Sequence, residues 1–376
     1  KQNRQQNRTL LKKACVLALA VAMTITPCAP AKAATPVYDK VSEFKDGIAY
    51  VDKDGILGYI NTDGKLISLG DYSMVKEFKE GMAKVAVGDD WRLRRYGYVD
   101  KTGKEVIACQ YDIVGDFHEG LAMVDKGGKY GYVDKTGKEV IACQYFMTSD
   151  FHEGLARVVK RYYDEYLNAM YEKFYVDKTG KEVIACQYNR AWDFQEGLAR
   201  VKKKGKYGYV NKKGKEVIAC QYDGAGDFHE GLACVVKGDK WGYVNKKGKE
   251  VIACRYDDAW YFHEGLACVV KGDKYGYVNK KGKAVIACQY DIAGDFHEGL
   301  AVVKKGGKYG YVDKTGKEVV ACRYDNAWNF QEGLALVKKG DKYGYVNTKG
   351  EMIAEFQELW IRDDDGAYYR VGEQDD

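Results

Sequence analysis

Two residue types that bind metals or act as nucleophiles recur at fixed places in this chain. Seven of the eleven cysteines, Cys109, Cys143, Cys186, Cys220, Cys254, Cys288 and Cys322, close the same short apolar run. All five histidines, His118, His152, His229, His263 and His297, stand directly before Glu-Gly. Thiolates and imidazoles are zinc ligands, a His beside a carboxylate can act as a base, and regularly spaced cysteines suggest a disulfide ladder. Substitutions between the repeats argue against each of these. Gln195, Gln331, Lys45 and Lys79 fill the histidine slot elsewhere, so the imidazole is not structurally required and reads as part of a solvated loop. In Val251 to Tyr256, strand alternation predicts Ile252, Cys254 and Tyr256 on one face, the cysteine being a small buried apolar residue. Equivalent cysteines one unit apart are expected to lie too far apart to bridge, since a disulfide needs Cα atoms within about 7 Å. Cys234 and Cys268 share a second position, which holds Lys84, Met123, Arg157 and Arg200 in other units, and are expected to face solvent; their pairing is left open. Asp313 to Glu318, Asp-Lys-Thr-Gly-Lys-Glu, looks like a calcium loop but carries glycine fourth, not sixth. Asn279-Lys280-Lys281-Gly282 replaces it in sister units, and a hairpin turn accounts for both. No metal or cofactor is implied.

No nucleophile, base and orienting group stand out as a set, so the elements that carry these residues are the better guide. Phenylalanines at Phe44, Phe78, Phe117, Phe151, Phe194, Phe228, Phe262, Phe296 and Phe330 each open Phe-x-(Asp/Glu)-Gly-x-Ala, and six of the eight spacings are 34 residues. A fixed period of this size marks units that bury their apolar faces only by stacking on neighbours. In the unit beginning at Phe262, Leu266 to Lys271, Lys274 to Asn279 and Ala284 to Tyr290 are short β-favouring runs separated by Gly, Asn and Asp turns. This predicts an all-β fold of three-stranded meanders, with Asp291 to Gly299 as a linker. Units of three strands suit an open, twisting β-solenoid better than a propeller-like ring, the alternative, whose blades usually have four strands.

Lys240-Trp241-Gly242-Tyr243-Val244, followed by Asn-x-x-Gly-Lys, Val-Ile-Ala-Cys, Tyr-Asp and Phe-x-Glu-Gly-Leu-Ala, resembles the bacterial WG-containing repeat. The resemblance spans about residues 44 to 360, although most units carry Tyr-Gly, as at Tyr207-Gly208 and Tyr309-Gly310, and only Trp241 keeps the Trp. It implies tandem β-repeats and no particular activity.

Residues 1–33 differ in composition from the rest. Lys1, Arg4, Arg8, Lys12 and Lys13 precede an apolar run of 12 residues, Ala14 to Ile25, and Ala31-Lys32-Ala33 ends it with small residues. This reads as a secretory signal peptide cleaved after Ala33, because so short a run does not span a bilayer. A secreted, periplasmic or cell-surface protein is expected, with a lead at 34–43, repeats at 44–360 and an acidic tail at 361–376. Beyond the leader the chain has 54 basic and 55 acidic residues, so a nucleic-acid partner loses its main support. No membrane span is expected, and the oligomeric state is left open.

Specificity should reside where the repeat is broken. An insertion at 88–95 brings Trp91 next to three arginines, and one at 161–173 brings Tyr163, Tyr166 and Tyr171, either on a short amphipathic helix or on an extended hairpin. Before the phenylalanines, Trp192, Gly226, Trp260, Gly294 and Trp328 alternate, and Arg255 and Arg323 mark the units ahead of two of the tryptophans. These aromatic and arginine residues are the candidate ligand-binding set. The expected function is a non-enzymatic exported binding or scaffold module for a protein or cell-envelope glycan. The alternative is an envelope hydrolase with its site at an insertion. The Trp/Gly alternation suggests large packing over small. Gly294→Leu is therefore expected to lower the melting temperature, by the equivalent of about 1–3 kcal/mol if the site is packed.

Overall fold

A computed structural model describes residues 40–41, 48–53, 56–61, 66–69, 72–164, 166–356, 360–362 and 368–370. The expected leader at 1–33, residues 34–39, Phe44 and most of the acidic tail lie outside the described residues. Among the described residues there is no helix, and none long and apolar enough to cross a membrane. Nine four-stranded antiparallel sheets follow one another in chain order, with a two-stranded ribbon of Trp360–Arg362 and Tyr368–Arg370 after them. Among the described residues no sheet closes on itself, and the main contacts between sheets run from each to the next, as in an open stack.

The unit has four strands, where the sequence suggested three. The seventh sheet consists of Asp258–His263, Leu266–Lys271, Lys274–Asn279 and Ala284–Tyr290. The expected linker is the first strand of the following sheet, Ile292–His297. Its Gly and Asp dilute strand propensity, and its pairing with the second strand shifts register between Ala293 and Phe296. In the sixth sheet this strand is reduced to Gly224–Ala225 and an isolated bridge, His229 to Leu232.

Each sheet is joined to the next by one recurring contact. The central tyrosine of the third strand reaches forward: Tyr243 Oη donates to Trp260 O at 2.7 Å, while its ring meets the Phe262 ring edge-on, centroids 5.0 Å apart. Tyr98 does the same to Gly115 O and Phe117, and Tyr277 to Gly294 O and Phe296, at 2.6 Å in both hydrogen bonds. Burial pushes these phenols far above their usual range, so they stay neutral donors.

The glycine beside each such tyrosine is required by close approach. A Cβ on Gly242 would lie 2.5 Å from Ile252 O and 2.6 Å from Cys254 N, because the fourth strand bulges against the third at this point. The bulge also overturns the expected facing of the cysteine. Ile252 and Tyr256 pack into the core shared with the seventh sheet, whereas Cys254 packs against the core shared with the fifth. Cys234 and Cys268 are likewise not solvent-facing: they are 5% and 2% exposed, pressed between consecutive sheets. Where Arg157 fills their slot, its length carries the charge across the joint to Asp193, which its Nε meets at 2.8 Å, so the polar residue there reflects an ion pair and not solvent.

The alternating tryptophans do not pack over neighbouring glycines. The atoms nearest Gly294 belong to Val302 and Asn329, and those nearest Gly226 to Cys234 and Tyr261. Gly294→Leu is crowded, but by Val302 Cγ1, 2.9 Å from an added Cβ.

Turns between first and second strands place both Glu and Gly at positive φ, as at Glu264 (φ 49°) and Gly265 (φ 86°). Left-handed backbone is unfavourable for Glu, but its carboxylate then reaches the next sheet. Glu264 accepts from Gly299 N at 2.9 Å and pairs with Lys314 Nζ at 2.9 Å, and Glu119, Glu196 and Glu230 repeat the pattern. The Lys314 ammonium, against the opposing effect of burial, holds the Glu264 carboxyl below its usual range.

Tyr243→Phe is expected to cost about 1 kcal/mol, one hydrogen bond, and Tyr243→Ala about 3–5 kcal/mol because the ring contact goes too. Amide-exchange protection should fall mainly in the sixth and seventh sheets. Equal losses for the two variants would show that the ring contributes nothing.

Candidate functional site

An antiparallel four-stranded meander has two edges. One carries the turn between strands one and two and that between three and four. The other carries the hairpin between strands two and three and the connection to the next sheet. Both insertions lengthen the second-to-third hairpin, in the second and fourth sheets, so both lie on the same edge of the stack.

The first insertion is a tight loop. Leu93 N donates to Asp90 O at 2.9 Å, Arg92 N to Asp90 Oδ1 at 3.0 Å and Arg94 Nε to Gly88 O at 3.1 Å. With these bonds closed, Trp91 is left 70% exposed, the Arg92 guanidinium 5.2 Å from its ring centre.

The second insertion is an extended hairpin, Leu155–Tyr163 paired with Ala169–Asp177, not a helix. Asp164 Oδ1 closes its turn by accepting from Tyr166 N at 3.0 Å and Asn168 N at 2.8 Å. At the glycine-like position of that turn stands Leu167, at φ 64° and 82% exposed, beside Tyr166 at 77%. An apolar side chain displayed to water on strained backbone is unusual away from functional surfaces. Pairing sets Arg161 across from Tyr171. The Arg161 guanidinium lies 4.4 Å from the Phe146 ring and 5.6 Å from that of Tyr163, and Phe146 and Tyr171 centroids are 5.5 Å apart. Tyr163, Arg161, Phe146 and Tyr171 thus form one aromatic-cation cluster. Phe146 was not singled out from the sequence. It belongs to the connection entering the fourth sheet, and only the pairing brings it to the insertion.

The other predicted residues are not part of this cluster. Trp192 and Trp260 sit half-buried on first strands, 5.7 and 5.6 Å from Tyr207 and Tyr275 of their own sheets, with the Arg200 guanidinium 4.3 Å from Trp192. The carbonyls of Trp192, Trp260 and Trp328 accept the joint tyrosines of the preceding sheets. Arg255 and Arg323 are exposed on fourth strands, each guanidinium 5.3 Å from the ring of the next residue, Tyr256 or Tyr324. Tryptophans on first strands and arginines on fourth strands belong to the frame of separate units.

His118, His263 and His297 end first strands, whereas His152 and His229 stand outside the strands in isolated bridges to Leu155 and Leu232. His229, His263 and His297 form a row with ring centroids 6.2 and 6.4 Å apart, and His118 and His152 another at 6.0 Å. His118 Nε2 lies 3.4 Å from Asp150 Oδ2, and burial, opposed by His118 and His152, pushes that carboxyl above its usual range. Burial likewise outweighs the pull of Arg200 and raises the Asp227 carboxyl. Among the described residues no group of three or more His, Cys, Asp or Glu side chains is arranged to hold a metal. All nine described cysteines are free thiols. Burial raises the Cys234 thiol to about 11 and Cys268 further, which leaves both as poor nucleophiles.

The sequence model of the family described as WG containing repeat matches ten segments: residues 33–55, 58–91, 96–130, 130–163, 174–207, 207–241, 241–275, 275–309, 309–343 and 343–357. No curated protein matches the sequence. Among solved structures, a crystal structure of a eukaryotic initiation factor is similar at TM-score 0.48 and 9% identity, covering 87% of this chain and 89% of its own. Apo AztD from Citrobacter koseri is similar at TM-score 0.30 and 10% identity, covering 85% and 94%. At these scores neither likeness bears on fold detail or activity.

Alkylation of the folded protein near pH 8, followed by peptide mass mapping, is expected to label the half-buried Cys220, Cys254, Cys288 and Cys322 well before the buried Cys234 and Cys268. Early labelling of Cys268 would show that the joint between the seventh and eighth sheets opens readily.

Proposed function

This chain belongs to the WG containing repeat family, and from that premise we propose that it is an exported, non-enzymatic binding or scaffold module that contacts a protein or a cell-envelope glycan. The observation that carries the reading is the shared edge of the two insertions. Trp91 and Leu93 on one, and Tyr163, Tyr166, Leu167 and Tyr171 on the other, are exposed apolar or amphipathic side chains held by closed turns. Rigid tyrosine and tryptophan give contact area at low entropic cost and stack on sugar rings or protein side chains alike. Nine repeated sheets form a frame that spaces such contacts, as suits multivalent recognition. The leader-like 1–33 segment supports export to the envelope.

A pull-down against envelope polysaccharides and surface proteins tests the reading. Residues 161–171 can be replaced by the Gly-Asp turn that joins Lys237 to Lys240 in the sixth sheet, which shortens the hairpin while preserving its pairing up to Lys160 with Glu172. Retained partners are expected to fall at least about tenfold with this variant and with Trp91→Ala, each contact supplying on the order of 1–2 kcal/mol. Turnover of an envelope polymer, abolished by one substitution, would overturn the non-enzymatic reading in favour of a hydrolase.

A further inference from the structure

The opposite edge of the stack carries a second, unrelated feature. In the second, third, fourth and eighth sheets the turn between strands three and four reads Asp-Lys-Thr-Gly-Lys, at 100–104, 134–138, 177–181 and 313–317. In the fifth, sixth and seventh it reads Asn-Lys-Lys-Gly-Lys, at 211–215, 245–249 and 279–283. The exchange is not needed to close the turn. Asp134 Oδ1 accepts from Thr136 N at 2.8 Å, Lys138 N at 3.1 Å and Thr136 Oγ1 at 2.6 Å. Asn245 Oδ1 accepts from Lys247 N and Lys249 N, both at 3.0 Å, so the backbone is held alike while the hydroxyl bond is given up.

What the exchange changes is charge. Each Asp to Asn and each Thr to Lys adds one positive charge, so three consecutive turns carry six more than their sisters. Lys213, Lys215, Lys247, Lys249, Lys281 and Lys283 are all exposed. Among the described residues none of the six ammonium groups makes an ion pair or a hydrogen bond, while the remaining lysine of each turn is committed to the preceding sheet, Lys212 to Glu153, Lys246 to Glu196 and Lys280 to Glu230, at 3.0 Å. In the sister turns the Thr136 hydroxyl, with Lys138 nearby, holds the Asp134 carboxyl below its usual range, so a counter-charge stands next to that lysine. Asn supplies none. The seventh sheet also has Ala284 where its neighbours have Glu216 and Glu250, which removes a further acid from the row.

We infer that the turns at 211–215, 245–249 and 279–283 form a docking edge for a linear anionic polysaccharide lying along the stack. Lysine pairs repeated at one-unit intervals match a polymer whose charges also repeat, and each added contact acts intramolecularly once the first is made. Lysine ammonium groups are point charges without the planar fork of arginine. The three turns contain no arginine for base edges or phosphates and no aromatic ring on which a base could stack, and nucleic-acid binders combine charge with such groups. Nor do the turns carry an apolar side chain that would enter a bilayer. This edge is independent of the insertion edge, so either can fail without the other.

The test uses the full chain with polygalacturonate, which bears one carboxylate per sugar, as probe and neutral dextran as control. Asn211→Asp, Lys213→Thr, Asn245→Asp, Lys247→Thr, Asn279→Asp and Lys281→Thr together restore the sister turns and should leave the melting temperature unchanged or raised. Binding to polygalacturonate is expected to weaken at least about tenfold at 0.1 M salt, with a distinctly shallower dependence of log affinity on log salt, because fewer counterions are released. Affinity unchanged in the six-fold variant would overturn the inference. So would single-stranded DNA, or vesicles of phosphatidylglycerol, binding more tightly than the polysaccharide with the same dependence on these lysines.

Discussion

Everything else in this structure depends on how one sheet is attached to the next. A four-stranded sheet of about 34 residues has two faces and too little material to cover either, so it is stable only between neighbours. The attachment is a tyrosine that does two things with one side chain. Its ring fills the space in front of the next sheet's phenylalanine, and its hydroxyl satisfies a carbonyl of the same strand, as Tyr243 does with Phe262 and Trp260 O. Eight such ring pairs run from Tyr59 with Phe78 to Tyr311 with Phe330. A leucine would bury similar area but leave the carbonyl unpartnered, and a buried acceptor without a donor costs on the order of 1–3 kcal/mol.

Several constraints follow from that joint. The tyrosine must stand on a third strand that the fourth can approach closely, which forces glycine beside it and a bulge opposite. The bulge in turn decides which side chains of the fourth strand face forward, and so places Ile252 and Tyr256 in one core and Cys254 in another. The left-handed Glu-Gly turns repeat the principle in polar form. From Glu80 to Glu298, each glutamate accepts a conformational cost that its reach to the next sheet offsets.

With the cores and joints so heavily specified, insertions and changes of turn charge fall on the two edges. The hairpins on one edge absorb insertions without disturbing the stack, and there the aromatic residues stand clear of the frame. The turns on the other edge exchange charge without changing their closure. Many of the repeated residues that look chemically active are absorbed by packing. Trp192 and Trp260 pack on tyrosines, Cys234 and Cys268 fill a joint, and Arg157 crosses one to reach Asp193.

The sequence alone determined the all-β class, the period, the second to fourth strands, the hairpin nature of the Asp-Lys-Thr-Gly turns and the location of both insertions. Each is a local property, carried by β-favouring runs, by glycine where φ must be positive, and by breaks in a period that can be counted. Tertiary structure decided the rest. The first strand is short, interrupted by Gly and Asp, and exists because the second strand offers it hydrogen bonds. The facing of Cys254 depends on a bulge, the burial of Cys234 and Cys268 on a partner sheet, and the company of Arg161 with Phe146 on strand pairing. Burial at these positions arises between units, and a repeat pattern records what each unit contains without recording what its neighbour covers.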